Sequence, residues 1–202
     1  MEIQTDIRDL SPTKNQKQML RSAMRQRHRA LPVCERKAID AAILRHLFAS
    51  DAWQRAGSVF AYAGTDWEID TWPLLERAIR EGKRLLLPKC QGPGIMGAVR
   101  VRDLSELHTG YMNLPEPQGS ERMPPESIDL CLVPCIATDR LFMRLGQGGG
   151  FYDRYLPGIR GSVICLCRTL AVLEKVPADP WDVPVEKICT EKGFLEPPGT
   201  ER

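Results

Sequence analysis

The sequence predicts an α/β domain of three layers, a mainly parallel sheet with helices on both faces. Short apolar runs at residues 58–63 (SVFAYA), 84–88 (RLLLP), 129–134 (DLCLVP) and 162–167 (SVICLC) have the length and composition of strands buried on both sides. Helical segments alternate with them, and that alternation specifies parallel strands joined by right-handed crossovers. The chain has 202 residues, 43% apolar and 27% charged. That is enough for one domain whose core needs no disulfide or metal staple.

Residues 1–13 read as a loose arm and 197–202 as a loose tail, which leaves 14–196 as the single domain. A helical pattern starts at Ser11 or Thr13, both acceptable caps, and runs to about Ala30 ahead of Pro32. One face carries Lys14, Lys17, Arg21, Arg25 and His28, the other Leu20, Ala23, Met24 and Leu31. A second helix, 35–49, repeats apolar residues at Ala38, Ile39, Ala42, Ile43 and Leu47. The strand at 58–63 runs into an acid-rich turn at 64–71. A helix at 72–80 follows, with Pro73 in its first turn and Gly82 just past its end. With the strand at 84–88 this makes one β–α–β unit, whereas residues 91–117 show no clear pattern. Ligands in such sheets gather beyond the carboxyl ends of the strands, here the loops after Ala63, Pro88, Pro134 and Cys167.

Several classes are disfavoured. A net charge of +2, without basic and aromatic residues interleaved, is too mild for a nucleic-acid footprint. Seven cysteines include no C-x-x-C pair, and Cys131, Cys135, Cys165 and Cys167 lie in or beside apolar runs as small hydrophobes. A reduced, cytoplasmic protein is expected. There is no apolar signal region at the start, and no run approaches the ~18 residues that span a bilayer. His28, His46 and His108 lack metal spacing and read as non-catalytic.

The chemistry concentrates at Arg144-Leu145-Gly146-Gln147-Gly148-Gly149-Gly150-Phe151-Tyr152-Asp153-Arg154. Glycines let the backbone take positive φ and turn successive N–H groups toward an anion, and a helix start adds positive potential. Arg144 and Arg154 bracket the loop with fork-shaped donors suited to phosphate, and Asp153 is placed to hold Mg²⁺ or orient an arginine. The same glycines also serve a plain tight turn. There is no Gly-Lys-Ser/Thr, which excludes a Walker loop. Asp66, Glu68 and Asp70 alternate, forming either an acidic ligand wall or a solvated turn whose Asp70 or Thr71 caps the next helix. Tyr62, Trp67, Phe151 and Tyr152 are candidates for ring stacking or for the core edge.

At these residues the chain resembles the 5-formyltetrahydrofolate cyclo-ligase family, and it does so from about Lys14 to Gly193. The resemblance rests on ordered blocks: Lys17-x-x-x-Arg21; Tyr62 through Glu68-Ile69-Asp70-Thr71; Lys83 through Leu87-Pro88, with Glu116-Pro117; and Asp139-Arg140 through Arg154. It implies ATP- and Mg²⁺-dependent closure of 5-formyltetrahydrofolate, with or without a polyglutamate tail, to 5,10-methenyltetrahydrofolate by a monomeric enzyme. It implies that Lys17, Arg21 and the loop from Arg144 to Tyr152 contact ATP. Thr65, Asp70 and the stretch from Gly148 to Tyr152 would face the folate. Asp153, Arg144 and Arg154 would act in catalysis, with Asp153 a magnesium ligand and Glu186 completing the shell; Asp182 rivals Glu186. Gln147 and Gly149 stand where some members carry basic residues. Other readings are an ATP-dependent phosphotransferase or ligase with another substrate, and a non-catalytic folate- or nucleotide-binding regulator.

Overall fold

The computed structural model describes residues 13–65 and 67–195. The arm before Thr13, Asp66 and the tail at 197–202 lie outside the described residues. The first helices are α1 (Lys14–Ala30), α2 (Val33–Ala49) and α3 (Asp51–Arg55). β1 (Ser58–Phe60), α4 (Trp72–Arg80) and β2 (Arg84–Gly92) form the expected β–α–β unit, since β1 and β2 are parallel. Then come β3 (Ile95–Val101), β4 (Leu107–Thr109), β5 (Pro115–Pro117), β6 (Arg122–Met123) and β7 (Leu130–Val133). β8 (Ala137–Asp139), β9 (Arg144–Leu145), α5 (Phe151–Tyr155), β10 (Ser162–Leu166), β11 (Val172–Leu173), β12 (Lys187–Thr190) and β13 (Gly193–Leu195) complete the chain.

Eight strands make the main sheet in the order β13-β12-β10-β7-β1-β2-β3-β6. The central β12, β10, β7, β1 and β2 are parallel, and antiparallel strands finish both edges. Each central strand is apolar on both sides because each side meets a core. Leu130, Leu132, Ile164 and Leu166 pack with Ile43, Leu44 and Leu47 of α2, Trp53 of α3 and Leu74 and Leu75 of α4. Their sequence neighbours Cys131, Val133, Val163 and Cys165 face a second core with Met24 of α1, Phe142, Leu145 and Leu156. Each large side chain buried this way contributes about 1.5–3 kcal/mol. Burial pushes the Cys131 and Cys189 thiols up to about 12, which keeps them protonated and apolar in behaviour.

Helices lie on both faces, and on the second a three-stranded sheet, β11-β8-β9, joins α1 and the short α5. Other expectations are corrected. β2 does not end at Pro88; it continues into a hairpin in which Pro88 pairs with Ala98, so no ligand loop opens there. The buried stripe of α2 is Asp40, Ile43, Leu44 and Leu47, with Ala38 exposed. The two faces of α1 are not cleanly basic and apolar: His28 is buried beside Met24, Lys17 is nearly so, and Ala23 is exposed. Cys135 is half-buried, while Cys131, Cys165 and Cys167 are buried.

Candidate active site

The glycine loop leaves β9 and enters α5. Gly148 (φ 106°) and Gly150 (φ 65°) take left-handed backbone that a side chain would strain. A Cβ on Gly148 would stand 3.3 Å from the Arg21 guanidinium, so the glycine also admits that arginine to the loop. Arg21 donates from Nε to Gly146 O at 2.9 Å. Burial, then the charge of Arg25, draws its pKa below the ordinary arginine value. Gln147 bridges the cleft: Arg25 donates to its Oε1 at 2.6 Å, and its Nε2 donates to Glu68 Oε1 at 3.1 Å. An open cleft of about 690 Å³ runs along this face of α1, lined by Arg21, Arg25, Arg29 and Gln147.

Arg144 is buried just ahead of the loop. It donates from Nη2 to Asp153 Oδ1 at 2.9 Å and lies over the Tyr152 ring, 5.4 Å from its centre. Its Nε–H and the Tyr152 hydroxyl are buried and have no hydrogen-bond partner among the described residues. An unpaired buried donor costs about 1–3 kcal/mol and calls for an explanation. Burial holds the Tyr152 phenol well above its usual pKa, so it stays neutral. Arg154 has a different setting from Arg144: its Nη1 donates to Gly149 O, Gly150 O and Gly94 O, bracing the loop on the β2–β3 hairpin.

Asp153 Oδ1 also accepts from Val183 N at 3.2 Å, which lays the segment carrying Asp182 against it. Asp182 and Asp179 both accept from Lys17 Nζ at 2.5 Å. Lys17 is thereby held in an acidic pair, anchoring the start of α1, rather than presented to the cleft. Glu186 lies elsewhere: its Oε2 accepts from Val163 N at the amino end of β10. No cluster of three or more acidic, histidine or cysteine side chains suited to a metal occurs among the described residues. Asp153 therefore offers one carboxylate, which fits a Mg²⁺ completed by phosphate oxygens and water.

The turn that carries Thr65 and residues 67–70 meets the loop through the Gln147–Glu68 bond and α1 through Arg25 over the Trp67 ring. Glu68 Oε2 accepts from the backbone N and the hydroxyl of Thr65, at 3.0 and 2.8 Å. The exposed Asp70 carboxylate accepts from Trp72 N at the start of α4, whose N-cap Thr71 makes no side-chain cap bond and donates to Tyr62 O. Of the candidate stacking rings, Tyr62 is in the core and Tyr152 packs near Phe60. Trp67 lies between His28 and Arg25, and Phe151 meets Tyr111 edge-on. Three buried residues went unmarked as a group in the sequence. Arg168, Asp40 and His28 together fasten this turn from beneath. An acid on the buried face of α2 and an arginine directly after an apolar run are the signals that point to them.

The sequence model of the 5-formyltetrahydrofolate cyclo-ligase family matches residues 13–191. The chain is 32% identical to the 5-formyltetrahydrofolate cyclo-ligase of Mycolicibacterium smegmatis over 188 residues, covering 87% of this chain and 94% of that protein. It is 29% identical to the Escherichia coli K12 protein of the same name over 180 residues, covering 86% and 99%. The solved structure of Aquifex aeolicus 5,10-methenyltetrahydrofolate synthetase superposes with a TM-score of 0.82 at 30% identity, over 92% of this chain and 95% of that one.

Proposed function

Because the chain belongs to the 5-formyltetrahydrofolate cyclo-ligase family, we propose that the cleft between α1, the glycine loop and the 65–70 turn is where it performs that family's reaction. The protein is an ATP-using ligase of folate and one-carbon metabolism with 5-formyltetrahydrofolate cyclo-ligase activity. The formyl group on N5 is an amide, so its carbon is a poor electrophile and its oxygen a poor leaving group. Transfer of the γ-phosphoryl of ATP to the formyl oxygen changes both. N10 then attacks the formyl carbon, the five-membered ring closes, N10 loses its proton and the C–O bond breaks to release phosphate.

Phosphoryl transfer asks for alignment and charge neutralisation rather than a protein nucleophile. Arg21 and Arg144 supply fixed positive charge, and the glycine loop offers backbone N–H groups. Mg²⁺, held by Asp153, would neutralise phosphate oxygens as the charge shifts. Thr65 and Asp70 face the folate across the cleft, and Arg154 keeps the loop in place. Lys17 acts on ATP indirectly, by fixing α1 and hence Arg21. Seven unbridged thiols suit the reducing cytoplasm, where we place the protein. Among the described residues no helix is long and apolar enough to cross a membrane.

One observation carries the assignment: the buried Arg144 Nε–H has no partner among the described residues, and Arg144 Nη1 lies 3.1 Å from where a Cβ on Gly146 would stand. The purified protein, given MgATP and 5-formyltetrahydrofolate, is expected to form methenyl product and ADP in equal amounts, followed by absorbance and nucleotide assay. A folded protein that binds ATP and forms no methenyl product contradicts the assignment.

A further inference from the structure

Arg168 lies two residues beyond the end of β10 and is 1% exposed. Guanidinium carries five N–H donors, and all five are used. Nε and Nη2 grip both carboxylate oxygens of Asp40 at 2.7 and 2.8 Å. Nη1 donates to His28 Nδ1 at 3.0 Å and to Trp67 O at 2.9 Å, and Nη2 also donates to Glu68 O at 2.6 Å. Asp40 Oδ2 in turn accepts from Asp70 N at 3.0 Å. An arginine only donates, so His28 Nδ1 is the acceptor. The ring is therefore the neutral Nε2–H tautomer, donating to Ile136 O at 3.1 Å.

Three backbone groups of one turn, at positions 67, 68 and 70, are thus tied to a single buried ion pair contributed by α2 and the segment after β10. A buried pair is no efficient source of stability, because desolvation offsets most of the attraction. What this one does is fix a position. The Glu68 and Asp70 side chains hang from the tied backbone, and Glu68 in turn holds Thr65 and accepts from Gln147 of the glycine loop. A small shift of the guanidinium moves all of them together. We propose that Arg168, locked by Asp40 and His28, is a positioning residue that sets the 65–70 turn for the folate. The proposal deepens the active-site reading above and rests on it.

Two variants test it. Arg168→Lys keeps a charge but lacks the fork, and Asp40→Leu combined with Arg168→Met removes both charges at similar volume, which guards against a variant that fails to fold. Each is expected to raise KM for 5-formyltetrahydrofolate by about tenfold or more, since small misplacements are amplified at a reacting site. KM for ATP is expected to stay within about twofold. Amide exchange at residues 67–70 is expected to quicken while β7 and β10 keep their protection. Equal rises in both KM values, or unchanged KM values with only a lower melting temperature, overturn the positioning role. A wild-type protein without turnover overturns the active-site reading and this proposal with it. Wild-type turnover with variants of unaltered folate KM overturns this proposal alone.

Discussion

On the glycine-loop wall of the cleft, Arg144 Nε and the Tyr152 hydroxyl are buried without partners among the described residues. Beneath the 65–70 turn, Arg168 uses every donor it has and Asp40 accepts from both Arg168 and Asp70. The contrast separates two uses of the same residue type. A guanidinium with a spare donor is able to take a ligand, whereas a saturated one is held as scaffold. The Arg25–Gln147–Glu68 chain is the only side-chain hydrogen-bond bridge from the glycine loop to the 65–70 turn among the described residues.

The comparison breaks first at Arg144. Arg144→Met is expected to lower kcat by about 10²–10³, the loss that follows removal of a donor aimed at transition-state charge. Its urea midpoint should fall less than that of Asp40→Ala, because Asp153 is partly exposed and keeps its bond from Val183 N; steady-state kinetics beside urea denaturation show whether the two effects separate in this way. At the saturated arginine the order reverses. Asp40→Ala leaves Arg168 buried and unpaired, and is expected to cost about 3–5 kcal/mol of stability in urea denaturation. A loss below about 1 kcal/mol would mean that the pair does not hold the turn.

A third expectation concerns pH. Burial is the largest influence on His28 and lowers its pKa from 6.5. Between the folded value and 6.5 the unfolded chain binds more protons, so the stability this group contributes is present above 6.5 and lost as pH falls through that window. Arg168 and Arg27 oppose a charge on the ring, while Asp40 and the Ile136 carbonyl favour one. Wild type should therefore lose more stability between pH 7.5 and 5 than His28→Gln, measured by thermal unfolding in matched buffers. The smallest effect is expected at Gln147. Gln147→Lys places a cation against Arg25 and beside Glu68 on the exposed rim, and should change stability by under about 1 kcal/mol. Its KM for ATP should fall if the added charge reaches phosphate, and steady-state kinetics would show it.

How much of this was legible depended on range. The β–α–β unit could be read because Pro73, Gly82 and two apolar runs are local signals. The glycine loop was likewise written in consecutive residues. The β2–β3 hairpin was missed because Pro88 reads as a strand end, although it sits inside the ladder opposite Ala98. The Lys17–Asp182 and Asp40–Arg168 contacts join residues 165 and 128 positions apart. Only the fold brings them together, so nothing near Lys17 in the sequence announces its acidic partners. Asp40 carries no local signal of its role because its partner lies beyond a distant strand.

The central claim, that the unpaired Arg144 donor meets phosphate, is open to direct observation by NMR of arginine Nε–H groups in ¹⁵N-labelled protein. Arg144→Lys would identify the resonance by its loss. On addition of Mg²⁺ with a non-hydrolysable ATP analogue, the Arg144 Nε–H signal should shift and exchange more slowly with water, while that of Arg168 stays where it was. An Arg144 signal that does not change as the analogue binds would contradict the account.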